Sequence, residues 1–172
     1  MARNIEIKAR IKDVDALRAH AEALSDVPVQ VLSQVDTFFF VPQGRLKLRV
    51  MVPDCGQLVF YQREDAVGPR RSDYFIASTS DPAAMQVVLA TALGVRGVVR
   101  KQRQLFQVGA TRVHVDEVEG LGFFLELEVV LSSGQSDAEG EATAADLMAK
   151  LGVDPSDLVK VAYIDLLEGR AG

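Results

Sequence analysis

Residues 4–11 (NIEIKARI) alternate strictly, with Ile5, Ile7, Ala9 and Ile11 on one side of an extended chain and Asn4, Glu6, Lys8 and Arg10 on the other. Successive side chains of a strand project to opposite faces, so this is a strand with one buried apolar face. Asp13 then has the chemistry of a helix N-cap, and Val14, Leu17, Ala21 and Leu24 recur at helical spacing. The strand period resumes over residues 29–40. After Pro42-Gln43-Gly44 it continues over 45–52, where Leu46, Leu48 and Val50 oppose Arg45, Lys47 and Arg49. So short a connection predicts an antiparallel hairpin. Pro53-Asp54-Cys55-Gly56 predicts a turn, 58–63 a fourth strand and, after Gly68-Pro69, 70–79 a fifth. Asp81-Pro82 pairs a cap with a proline at the first helical position, and Gly94 ends that helix. Three more strands are predicted over 98–108, 111–118 and 123–131, with turns at Gly109 and at Glu119-Gly120-Leu121-Gly122. Helices over 138–151 and 155–167 complete the chain.

The polar faces of these strands are unusual because they carry ionisable groups in matching parity. The basic set is Lys8, Arg45, Lys47, Arg49, Arg63, Arg71, Lys101, Arg103 and Arg112; the acidic set is Glu6, Asp73, Asp116, Glu126 and Glu128. Two readings are open. The faces look outward at solvent with cross-strand ion pairs, or they look inward, since a closed sheet of eight strands has a lumen wide enough for side chains or one small ligand. An inward set costs several kcal/mol for each unpaired ion, roughly, and makes sense chiefly with an anion and a metal inside. Guanidinium groups match phosphate oxygens two bonds at a time, lysine adds a compact charge, and carboxylates two apart, such as Glu126 and Glu128, project together and can share a hard cation. This is chemistry suited to a polyphosphate with Mg²⁺ or Mn²⁺.

Composition narrows the field. The 172 residues are 48% hydrophobic, enough for one domain over 1–172 with a real core. Nineteen Lys and Arg against 24 Asp and Glu leave a net charge of −5, opposite to that of a protein built to grip nucleic acid. One cysteine, Cys55, permits no intramolecular disulfide and has no neighbouring histidine to make it a nucleophile. The N-terminus is charged almost at once, and no apolar run approaches the ~20 residues of a membrane span, so a cytoplasmic protein is expected. Two histidines and one cysteine at these spacings do not form a closed zinc set. His20 is expected to be exposed, His114 shares parity with Arg112 and Asp116, and Phe38, Phe39 and Phe40 read as core. Gly120-Leu121-Gly122 is a turn rather than a phosphate loop, because a strand follows it.

The order of these motifs resembles the CYTH superfamily, the triphosphate tunnel enzymes. Asn4-Ile5-Glu6-Ile7-Lys8 resembles its opening signature of two glutamates and a lysine at alternate positions. Gly44-Arg45-Leu46-Lys47-Leu48-Arg49 is similar to its basic hairpin strand and Lys101-Gln102-Arg103 to its Lys-x-Arg strand. Val115-Asp116 followed by Gly120-Leu121-Gly122-Phe123-Phe124-Leu125-Glu126-Leu127-Glu128 resembles its closing segment, the most specific of the four. The resemblance covers nearly the whole chain and is greatest to class IV adenylyl cyclases. It departs in two places: Asn4 stands for the first glutamate, and Gln62-Arg63 for a lysine on the fourth strand. It implies an α+β fold, a closed antiparallel eight-stranded β-tunnel with helices packed outside. By matching positions it implies Glu6, Asp116, Glu126 and Glu128 as metal ligands, and Lys8, Lys47, Arg49, Arg63, Arg71, Lys101 and Arg103 as phosphate contacts, with Lys8 and Lys101 catalytic. The implied function is a Mg²⁺- or Mn²⁺-dependent enzyme acting on a small-molecule triphosphate, foremost ATP to cyclic AMP and pyrophosphate. The rivals are hydrolysis of thiamine triphosphate, inorganic triphosphate or a nucleoside triphosphate, and a triphosphate-binding module without catalysis, which Asn4 motivates. No nucleic acid or membrane partner is expected; a homodimer is compatible with the sequence.

Overall fold

The alternation of the first segment becomes β1 (Ala2–Arg10) in the computed structural model, which describes residues 2–52 and 55–170. Asp13 caps α1 (Val14–Leu24) by accepting from the Ala16 N–H at 3.0 Å. There follow β2 (Gln30–Phe39), β3 (Arg45–Val52), β4 (Cys55–Arg63), β5 (Arg70–Thr79), α2 (Pro82–Leu93), β6 (Val95–Val108), β7 (Thr111–Val118), β8 (Gly122–Val130), α3 (Asp137–Lys150) and α4 (Tyr163–Arg170). The strands close into one barrel in the order β1-β5-β4-β3-β2-β6-β7-β8. Every neighbouring pair is antiparallel. No helix among the described residues is long and apolar enough to cross a membrane.

The register decides which face is inside. Lys8 lies opposite Glu126, Glu6 opposite Glu128, Asp36 opposite Arg49 and Arg103 opposite Asp116, so the charged parity of β1, β2, β3, β6, β7 and β8 turns into the lumen. The apolar parity therefore faces out and must be covered. Ile5, Ile7, Val113, Val115, Leu125 and Leu127 do so by packing under Leu17 and Ala21 of α1 and Ala144 and Leu147 of α3. Burying each large side chain contributes about 1.5–3 kcal/mol. Gly140 lets α3 lie close, since a Cβ there would come within 2.7 Å of the Ile5 side chain.

Four expectations need correction. The helix over 155–167 is divided into a 3-10 turn (Pro155–Asp157), an extended stretch and α4. β5 pairs with β1 only as far as Glu6, leaving backbone groups beyond it without a strand on that side. The stretch supplies partners: the Val159 N–H donates to the Lys8 carbonyl, and Leu158 bridges Ala9. β6 starts three residues early because Val95 pairs with Phe39 across a bulge at Phe38 and Phe39. Cys55 and Gly56 open β4 instead of completing a turn, and Pro53 and Asp54 lie outside the described residues. Phe38 and Phe39 are buried as expected, whereas Phe40 is 58% exposed.

Candidate functional site

The barrel encloses a cavity of about 390 Å³, within the ~300–1,000 Å³ of small-molecule sites. Among the described residues, seven cations (Lys8, Lys47, Arg49, Arg63, Lys101, Arg103, Arg112) and four carboxylates (Glu6, Asp36, Glu126, Glu128) line it. The chain as a whole is anionic, so the lumen concentrates the opposite sign.

Each carboxylate is held by cations from other strands, some adjacent and some one strand further round the barrel. Asp36 accepts from Lys47 Nζ at 3.0 Å and from Arg49 Nε and Nη2 at 2.7 Å. Glu6 accepts from Arg63 at 2.9 Å and Glu128 from Arg112 Nε at 2.9 Å. Glu126 lies 3.2 Å from Lys8 Nζ and accepts from Arg103 at 2.8 Å. Burial opposes ionisation of Asp36 and Glu126, but Arg49 and Lys47 outweigh it at the first, Lys8 and Arg103 at the second, and both carboxyls sit well below their ordinary range. The lysines move down. Burial, partly offset by Glu126, takes Lys8 to about 8. Burial and the Arg49 charge, against Asp36, take Lys47 to about 7. Burial and Arg103 lower Lys101 as well. Seven cations crowd one space, and two of the lysines titrate lower than an exposed lysine does.

The C-terminal segment enters one end. Tyr163 is 5% exposed, its ring packs edge-on against Phe124, and its hydroxyl donates to Asp116 Oδ2 at 2.9 Å. Lys8 Nζ stands 3.7 Å from the Tyr163 ring centroid and Lys101 Nζ 5.1 Å, within cation–π range. Lys8 also donates to the Val161 carbonyl at 3.3 Å. Asp165 at the start of α4 accepts from Arg45 at 2.8 Å and Arg96 at 2.6 Å, fastening the segment to β3 and β6.

Lys8, Lys47, Arg49, Arg63, Lys101 and Arg103 thus share one cavity with Glu6, Glu126 and Glu128. Two other residues do not stand where the resemblance puts them. Arg71 lies opposite Ile5, whose side chain is in the outer core, and so points out of the barrel; its side chain is 43% exposed and pairs with Asp73 at 2.9 Å. The inward positions on β5 belong to Ser72 and Tyr74. Asp116 is inside but completely buried, does not line the cavity, and spends its oxygens on Arg103 and Tyr163. Arg63 keeps the inward parity of Tyr61 and Val59, so β4 carries no slip. Arg45 turns from the lumen to Asp65 and Asp165.

Sequence reasoning missed Asp36 and Tyr163. Asp36 had a signal, being the one ionisable residue in 29–40. Tyr163 had none, because it reaches the lumen from a segment read as continuous helix. Glu126 and Glu128, two apart on β8, come together with His114; one ligand atom from each lies within 4.8 Å of the others. Two carboxylates and an imidazole fit a divalent cation.

A family model described as the CYTH domain matches residues 2–163. Adenylate cyclase CyaB of Aeromonas hydrophila is 28% identical over 174 residues, covering 95% of this chain and 88% of that protein. The solved structure of the PH1012 protein of Pyrococcus horikoshii OT3 superposes with a TM-score of 0.83 at 23% identity, covering 95% of this chain and 98% of that one. That of HpAC1 from Hippeastrum, a protein with a dominant triphosphatase activity, gives 0.64 at 15%, covering 97% and 96%. At these identities the two structures express likeness of fold alone. With a family match running from β1 to the start of α4, over a closed barrel whose lumen holds the charged residues, the chain belongs to the CYTH domain family.

Proposed function

We propose that the lumen binds a triphosphate and, with a divalent cation, converts ATP to cyclic AMP and pyrophosphate. The observation that carries this reading is the excess of cations over carboxylates inside a closed barrel. Such an arrangement is costly without an anion and becomes complementary with one. Lys8, Lys47, Arg49, Arg63, Lys101 and Arg103 would hold phosphate oxygens, Arg in forked pairs and Lys as point charges. Glu126 and Glu128, with Glu6 across from Glu128, would hold the cation, which supplies Lewis-acid polarisation at phosphorus when bound. Lys8 and Lys101, both beside Tyr163, would stabilise charge developing on the transferred phosphoryl group. In cyclisation the ribose 3′-oxygen forms its bond to the α-phosphorus, pyrophosphate leaves and the hydroxyl proton is released.

Two things favour a nucleotide over inorganic triphosphate. The cavity wall includes Leu32, Met51, Ile76 and Leu105, apolar surface of no use to a bare phosphate chain, and the Aeromonas relative is named an adenylate cyclase. The test is incubation with ATP, thiamine triphosphate and inorganic triphosphate, separately with Mg²⁺ and Mn²⁺, and identification of products. Cyclic AMP with pyrophosphate is expected. Orthophosphate as the main product would replace this reading with hydrolysis, and tight binding without turnover would replace it with a binding module. Lys101→Ala and Glu126→Ala are each expected to lower turnover by about 10²-fold or more.

A further inference from the structure

His114 projects into the lumen from β7, opposite Glu126 in the β7–β8 register, and is 3% exposed. Its Nδ1 has no hydrogen-bond partner among the described residues. A buried polar atom left so costs about 1–3 kcal/mol, so its surroundings require explanation. Nδ1 lies 4.0 Å from Glu126 Oε2 and 3.9 Å from Glu128 Oε1. Both separations exceed hydrogen-bond length. They suit an ion between the groups, because two bonds of ~2.1 Å on either side of a metal span ~4.2 Å. Lys8 sits on Glu126 Oε1, Arg103 on Glu126 Oε2 and Arg112 on Glu128 Oε2, and Glu128 Oε1 is turned toward the imidazole.

We propose that His114 is a nitrogen ligand that, with Glu126 and Glu128, makes the cation site of this tunnel selective for Mn²⁺ over Mg²⁺. The proposal rests on the reading of the lumen as a metal-assisted triphosphate site and deepens it by naming the ion. Mg²⁺ takes oxygen ligands and keeps its waters, whereas first-row transition ions accept imidazole readily. One nitrogen among oxygens therefore tilts the choice of metal without changing the charge of the site.

The test uses the full chain with Mn²⁺ and inorganic triphosphate, a ligand without nitrogen, in a nitrogen-free buffer. Pulsed electron paramagnetic resonance is expected to detect a nitrogen coupled to Mn²⁺, and labelling histidine with nitrogen-15 is expected to change that coupling. The chain has two histidines, and His20 is exposed on α1, outside the barrel. His114→Gln is expected to abolish the coupling and weaken Mn²⁺ binding by about 10-fold or more while leaving Mg²⁺ binding unchanged. Bound Mn²⁺ without histidine coupling overturns the inference and leaves the carboxylate site standing. Absence of bound Mn²⁺ in the presence of triphosphate overturns the inference together with the metal dependence proposed above. The isotope comparison uses the wild-type chain, so it decides the matter even if the variant does not fold.

Discussion

Lys47, brought down to about 7 by burial and by Arg49, carries a consequence for binding. A triphosphate beside it favours the charged ammonium and raises its pKa, so binding takes up a proton in the interval above pH 7. Affinity is then expected to fall as pH rises through that interval. Calorimetry at pH 8 in two buffers of different ionisation enthalpy measures the uptake, and Lys47→Arg, permanently charged, is expected to reduce it. Equal heats in both buffers for the wild-type chain would dispose of this linkage. Asp36 is the counter-charge to Lys47 and Arg49 and is 1% exposed. Asp36→Asn leaves two buried cations facing each other and is expected to cost about 3–5 kcal/mol, read as a fall in Tm of roughly 10 °C. Because the Asp36 carboxyl lies below its unfolded value, its contribution to stability is complete above that unfolded value and is lost as pH falls toward the folded one. Parity made Lys47, Arg49, Lys101 and Arg103 legible as one set. It placed Arg71 in the inward set, whereas the partner strand sets Arg71 opposite Ile5 and its neighbour Arg70 opposite Glu6.

The C-terminal segment is the element on which pattern reading failed. Its path follows the unpaired flank of β1, a long-range backbone requirement invisible to local periodicity. Asp165 fastens it through Arg45 and Arg96 and accepts from the Ala162 N–H at 2.9 Å. Asp165→Asn is expected to loosen α4 selectively, so that amide exchange accelerates over 163–170 by about 10-fold or more while the amides of β7 and β8 are unchanged. Equal acceleration throughout the barrel would mean that the segment does not open as a local unit. The helix α1, by contrast, was legible from its cap and spacing, and α3 was expected over 138–151 without its Ser136 cap being read. Asp13 and Ser136 each accept a backbone N–H, and Glu139 returns the bond to Ser136.

On the scale of the molecule, an anionic chain encloses a lumen in which cations outnumber carboxylates, and an anion bound there would relieve their repulsion. A triphosphate at 100 times its Kd is expected to stabilise the fold by about 2.7 kcal/mol, and a gain of roughly 5–10 °C in Tm should appear by calorimetry. Sodium sulfate at equal ionic strength should give less, since sulfate cannot bridge cations on several strands at once. An equal shift with sulfate would argue against a site shaped for a phosphate chain. The strand period of two determined, from the amino-acid order alone, which residues share a face, because side chains alternate whatever strand lies alongside. Tertiary structure decided which of those faces is the interior. Closure of the eighth strand on the first turned the charged faces inward while α1 and α3 covered part of the apolar exterior, and the unpaired backbone of β1 drew Tyr163 into the end of the lumen.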